Sequence, residues 1–185
     1  MPDKILFVRH YTTFRQAFTK GGNMQNLYED ILGEKNRIYY LLKFELFDQH
    51  PPGLSGSGSK KASWNWAAFL CGGVWALYRK MYGWFFAFWG IATLSSITER
   101  AGSPVIGAFI FFVSWVAFTI YADALYHWNI KGKIAVAQRM VKDESKLREY
   151  LRYKGGVHTW VMWVFGLLLV IGIVAAIVIP MFARH

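Results

Sequence analysis

A single cysteine, Cys71, serves the whole 185-residue chain, which excludes an internal disulfide and a cysteine-based metal cluster. Acid is scarce too: 11 Asp and Glu stand against 21 Lys and Arg, for a net charge of +10. No nucleophile–base motif is present. The chain therefore reads as non-enzymatic, with no catalytic residue assigned and no cofactor expected. The first 22 residues lack an apolar core of signal-peptide length, their longest apolar run being Ile5-Leu6-Phe7-Val8; this excludes a secretion signal. They end at Gly21-Gly22, with Met24 close behind. Two readings stand for residues 1–25: a basic arm resting on a membrane surface, or a start at Met24 preceded by a mis-assigned stretch. Gly53, Gly58 and Lys60 lack phosphate-loop spacing, because Ser59 separates the second glycine from the lysine and no strand precedes them. A nucleotide site is excluded there.

What the sequence has in quantity is apolar and aromatic surface. It is 55% hydrophobic and 18% aromatic, with nine Trp, and its long uncharged runs point to membrane spans. In such a chain a basic excess sits on the cytoplasmic side and faces anionic phospholipid headgroups. The basic residues flank apolar runs, so a nucleic-acid partner is not expected.

The chain is organised around residues 63–80. Trp64 to Tyr78 is an apolar run of 15 residues, about 22 Å long as a helix and so short of a bilayer core of about 30 Å. Lys60-Lys61 precede it and Arg79-Lys80 close it. A helix lying at or dipping into the interface keeps both basic pairs on the cytoplasmic side. Ala68, Gly72 and Ala76 recur every four residues as a small-residue contact stripe. Trp64, Trp66 and Trp75 are placed at headgroup depth.

Upstream, residues 26–50 read as a cytoplasmic amphipathic helix. Asn26 and Glu29 have capping-box spacing, Leu27, Ile31, Ile38, Leu42 and Leu46 share a face, and Gly33 weakens the middle. Pro51-Pro52 end it, and 51–62 is a flexible linker. Downstream, 81–98 forms a first span. Gly102 closes it, Ser103 caps the next helix, and Pro104 suits that helix's first turn. A second span covers 104–128, with Asp123 and His127 as its polar residues. A basic loop with a surface helix ending at Gly155-Gly156 covers 129–158, and a third span covers 159–182. Trp160 and Trp163 mark the start of the third span, and Arg184-His185 follow it. The fold class is thus an all-α integral membrane protein: a cytoplasmic N-terminal helix, an interfacial or re-entrant helix, then three transmembrane helices. Nineteen of the basic residues fall in 1–80 and 129–158, leaving Arg100 and Arg184 on the other side. The N-terminus is therefore expected in the cytoplasm and the C-terminus outside.

The string SWNWAAF followed by WALYRKMY resembles the shared core of the DUF2628 family of small bacterial integral membrane proteins, across roughly residues 26–130. The resemblance implies bacterial origin and an inner-membrane location, and no activity. The lipid-facing candidates are Lys60, Lys61, Trp64, Trp66, Arg79 and Lys80, with Arg79-Lys80 read as anchors or as an anionic headgroup site. Asp123 and His127 are the intramembrane polar candidates. At i and i+4 they share a face and are expected to pair. One reading makes them a proton or cation site; the other makes them a helix-end pair reaching headgroup water. They supply two metal ligands where zinc needs three, with His158 a distant third, so no metal is expected. Cys71 has no adjacent base and reads as an inert small residue. Two functions follow: a protein binding lipid or a membrane partner, with a homo-oligomer allowed, or a subunit of an oligomeric small transporter or channel using Asp123 and His127.

Overall fold

A computed structural model describes residues 22–49 and 63–182, and every regular element among them is helical. Residues 1–21 of the basic arm, the linker, Lys60, Lys61, the rejected phosphate-loop spacing and Arg184-His185 lie outside the described residues, while the last residues of the arm, 22–25, are helical.

The first helix, α1, runs Gly22–Leu32, so Asn26 lies inside it and not at its cap. A second helix, α2, runs Arg37–Gln49. The expected single helix is broken because Gly33 and Asn36 take left-handed backbone, φ 67° and 58°. Glycine ends helices in this conformation and asparagine tolerates it. Arg37 Nε donates to the Gly33 carbonyl at 2.8 Å. The break also changes the buried face. Leu27 and Ile31 are core residues as expected, but α2 buries Tyr40, Leu41, Phe44 and Phe47 and leaves Leu46 55% exposed.

Residues 63–80 form two short helices, α3 (Trp66–Cys71) and α4 (Gly73–Tyr78), and not one. Between them Gly72 adopts φ 51°, ψ −131°, which a side chain would not tolerate. The expected Ala68/Gly72/Ala76 stripe is therefore interrupted, although all three are buried. The Phe88 ring lies where Cβ atoms of Gly72 and Gly73 would be, 3.1 and 2.9 Å away.

Helix α5 (Tyr82–Arg100) and helix α6 (Pro104–Met140) form a hairpin around Gly102, φ 92°. Pro104 opens α6, and Ser103 sits at the cap position without a side-chain capping bond. The hairpin closes tightest at Gly107, where a Cβ would stand 2.6 Å from the Ser95 carbonyl oxygen. This is the close approach that small residues permit. At 37 residues, α6 is roughly 55 Å long. It runs on through the first part of the expected basic loop. Asp143 then caps α7 (Glu144–Lys154), accepting from the Ser145 and Lys146 amides. Gly155-Gly156 pack against the end of α1, where the Gly156 amide donates to the Ile31 carbonyl at 2.9 Å. Helix α8 (Thr159–Phe182) follows.

Among the described residues two helical stretches are long and apolar enough to cross a membrane, α6 and the stretch from Glu144 to Phe182 that ends in α8. They are clothed differently. From Phe118 onward α6 buries Phe118, Thr119, Ala122, Asp123, Tyr126, His127, Ile130 and Ile134 in a core shared with α1, α2, α3, α4 and α7. Beyond Val161, α8 buries no side chain.

Candidate functional site

Asp123 is 1% exposed, and its carboxylate joins three parts of the chain. Its Oδ1 accepts from Asn65 Nδ2 at 2.6 Å. Its Oδ2 accepts from the hydroxyls of Ser63 at 3.1 Å and Tyr39 at 3.2 Å. Lys43 of α2 forms an ion pair with the same oxygen. Asn65 serves twice, because its Oδ1 also caps α3 by accepting from the Ala68 amide at 2.9 Å. A buried carboxylate is tolerable only when paired and fully hydrogen-bonded, and Asp123 has both. Burial disfavours the Lys43 charge, yet bonds to Asp123 and Tyr39 outweigh that and hold its ammonium above the usual lysine range.

His127 does not pair with Asp123. Its Nε2 lies 3.1 Å from Asp48 Oδ1 and 3.3 Å from the Tyr28 hydroxyl oxygen. Tyr28 gives its proton to Asp48 Oδ2 at 2.8 Å, so Nε2 carries a proton and donates into this pair of oxygens. Lys131 donates to Asp48 Oδ1 at 2.8 Å. Burial raises the affinity of Asp48 for a proton, but the bonds from Lys131 and Tyr28 win and keep its carboxyl below the ordinary range. The expected pairing fails because α2 offers each residue a better partner. Neither residue reaches headgroup water as a pair, since both are buried.

Arg79 and Lys80 part company. Arg79 is 3% exposed. Its guanidinium lies 4.4 Å from the Tyr40 ring centre, 5.2 Å from Tyr126 and 5.4 Å from Tyr78, an aromatic box suited to a cation. It is not a surface anchor. Lys80, with φ 57°, holds the Gly155 carbonyl at the rim of a cavity. Trp64 and Trp66 are exposed, Trp66 at 67%, and both rings meet Phe69, which stacks on Trp115 at 5.1 Å. Trp75 is buried against Phe118 and Tyr126, away from any surface. Cys71 is free and half-buried.

The ends of residues 63–80 meet the same stretch of α2. Ser63 accepts from Lys43, and Arg79 sits over Tyr40, one turn earlier. His158 bonds Tyr82 at 2.6 Å, far in the chain from Asp123. Among the described residues no three His, Cys, Asp or Glu gather where they could hold a metal. Sequence reasoning missed Lys43, Asn65, Tyr28 and Asp48. The one available signal was Lys43 set among Leu41, Leu42 and Phe44, a cation in an apolar stretch that needs an acid.

Compared with family models, curated proteins and solved structures, the chain matches none.

Proposed function

We propose that this chain is a small, non-enzymatic integral protein of the bacterial inner membrane. Its spans are 81–98, 104–128 and 159–182, its N-terminus is cytoplasmic and its C-terminus outside. It binds anionic phospholipid headgroups or a membrane partner at its cytoplasmic face. The observation that carries the membrane placement is α8: its aliphatic side chains from Leu167 to Phe182 are almost all exposed. Such a helix has no stable place in water. Helix α5 supports a further span, being free of charge until Glu99 and apolar on exposed positions such as Phe86, Trp89 and Leu94.

Residues 63–80 enter and leave on the cytoplasmic side in this reading. Its support is that Ser63 and Arg79 reach one turn of α2. The irregular backbone at Gly72 lies under the Phe88 ring, the protein cover that such backbone needs at membrane depth. Kinship with the DUF2628 family belongs to the same proposal. Its support is that the W-N-W and Y-R-K residues include Asn65 and Arg79, two of the residues that hold the core together. The transporter reading has less support, because Asp123 is saturated by Lys43, Asn65, Ser63 and Tyr39.

The protein should stay with membranes through an alkaline carbonate wash. In mild detergent it should copurify with phosphatidylglycerol or cardiolipin in preference to phosphatidylcholine, less so as salt rises. Release by carbonate, or a lipid content indifferent to headgroup charge, would overturn the proposal.

A further inference from the structure

A group of basic side chains without acid partners among the described residues lies apart from the Asp123 core. A cavity of about 760 Å³ opens between the α4–α5 turn, the second half of α6 and the α7–α8 connection. Lys80, Lys133, Lys154 and His158 line it, Trp84 and Trp128 form part of its wall, and no carboxylate does. Cavities of this size hold small ligands or headgroups.

The four basic groups are brought together by backbone, not by acids. Lys133 Nζ donates to the Lys80 carbonyl at 2.8 Å. Lys80 Nζ donates to the Gly155 carbonyl and lies 3.4 Å from that of Lys154. The His158 amide donates to the Tyr78 carbonyl at 2.9 Å. An ammonium has three donors, so these bonds leave N–H groups on Lys80 and Lys133 for another acceptor. Four cations outside the cavity do sit on acids: Lys43 on Asp123, Lys131 on Asp48, Arg148 on Glu144 and Arg152 on Asp30. None of the four cavity groups has such a pair among the described residues. Lys80 is also held at φ 57°, where a non-glycine residue is strained and where strain gathers at functional positions. Burial and the charge of Lys154 push the Lys80 ammonium below its usual range, the mark of cations crowded without a counter-ion.

We propose that this cavity binds a phosphate-bearing anion, with Lys80, Lys133, Lys154 and His158 around the phosphate and Trp84 and Trp128 against the remainder of the ligand. A phosphate group carries enough oxygen acceptors to satisfy several donors at once. The site stands at the start of both α5 and α8. This is headgroup level in the membrane arrangement proposed above, on which the lipid form of the ligand rests. A soluble phosphate ester has the same chemistry.

The test uses the full chain in zwitterionic detergent, titrated separately with short-chain phosphatidylglycerol, phosphatidylcholine, glycerol 3-phosphate and inorganic phosphate. Lys80→Gly combined with Lys133→Gln removes two of the cations, and glycine accepts the backbone angle at position 80 without strain. Lys154→Gln alone serves if the double variant melts early. Lys142→Gln with Lys146→Gln removes the same charge from exposed positions. The wild type and this last control should bind phosphatidylglycerol alike, the cavity variant should bind it about tenfold more weakly or worse, and phosphatidylcholine should not compete. Glycerol 3-phosphate or inorganic phosphate binding that is lost in the cavity variant would identify a phosphate site independent of the membrane reading. Lipid binding that survives in the cavity variant, or falls equally in the control, would overturn the cavity while leaving general attraction to anionic lipid intact. No binding of any of the phosphates would overturn it as well.

Discussion

Helices α6 and α8 are both long apolar runs, yet they meet opposite surroundings. From Phe118 on, α6 packs against several other helices and carries Asp123 and His127 inside that packing. Helix α8 has no charged residue from Thr159 to Phe182 and is bare beyond its first turn. Polar atoms within an apolar run must find partners, and here α2, Ser63 and Asn65 supply them. A run with no such atoms needs none. A polar residue in a hydrophobic stretch therefore marks where the helix meets protein, and an unbroken aliphatic stretch marks where it meets lipid in the proposed arrangement.

The contrast can be broken most sharply at Lys43. Lys43→Met strands the Asp123 carboxylate in the core and should cost about 3–5 kcal/mol, read as a loss of thermal stability in mild detergent. Adding Asp123→Asn should recover part of that loss, so the double variant falls short of the sum of the two singles. Additive losses would mean that the pair is not coupled.

A charge placed in the bare helix should fail for a different reason. Val170→Asp puts a carboxylate where no protein partner exists, at about 2.5–3.5 kcal/mol on insertion scales. The expected result is less protein in the membrane fraction, with the Asp123 core unharmed in what does insert. Full insertion would indicate that α8 has a polar partner. A smaller effect is expected at Asp48. Its folded carboxyl titrates below its ordinary range, so the stability it adds is present above the unfolded value, about 3.9, and is lost as pH falls through the folded one. Asp48→Asn should flatten the acid limb of the stability curve between those two points. An unchanged limb would remove the Lys131–Asp48–Tyr28 cluster from the account.

Local signals in the sequence carried the helical class and several boundaries. Gly102 and Pro104 mark the α5–α6 turn, and Gly155-Gly156 mark the end of α7. Gly33 and Asn36 were also legible as a break, since both residue types favour left-handed backbone, but the helical period on either side hides them. The candidate site was half legible. Asp123 stood out because a carboxylate in an apolar run is costly. Its partner lies 80 residues away in sequence, beyond any spacing rule, so the i+4 neighbour His127 took its place in the reading. Arg79 reads as an anchor from its flank position, and only the converging rings of Tyr40 and Tyr126 bury it. The Lys80 cavity draws its basic groups from three distant segments, which explains why they looked like separate loop charges.

The central claim is that residues 63–80 fold back on α2 instead of crossing. Single cysteines at Ser57, Ala101 and Lys142, each in a Cys71→Ser background, can be labelled in intact cells with an impermeant maleimide. The account predicts that the cysteine at position 101 reacts at once, while those at 57 and 142 react only after the membrane is opened. A further cysteine at Tyr82 reports on this stretch alone: if it proves to lie on the side opposite to that at 57, residues 63–80 cross the membrane and the account is contradicted.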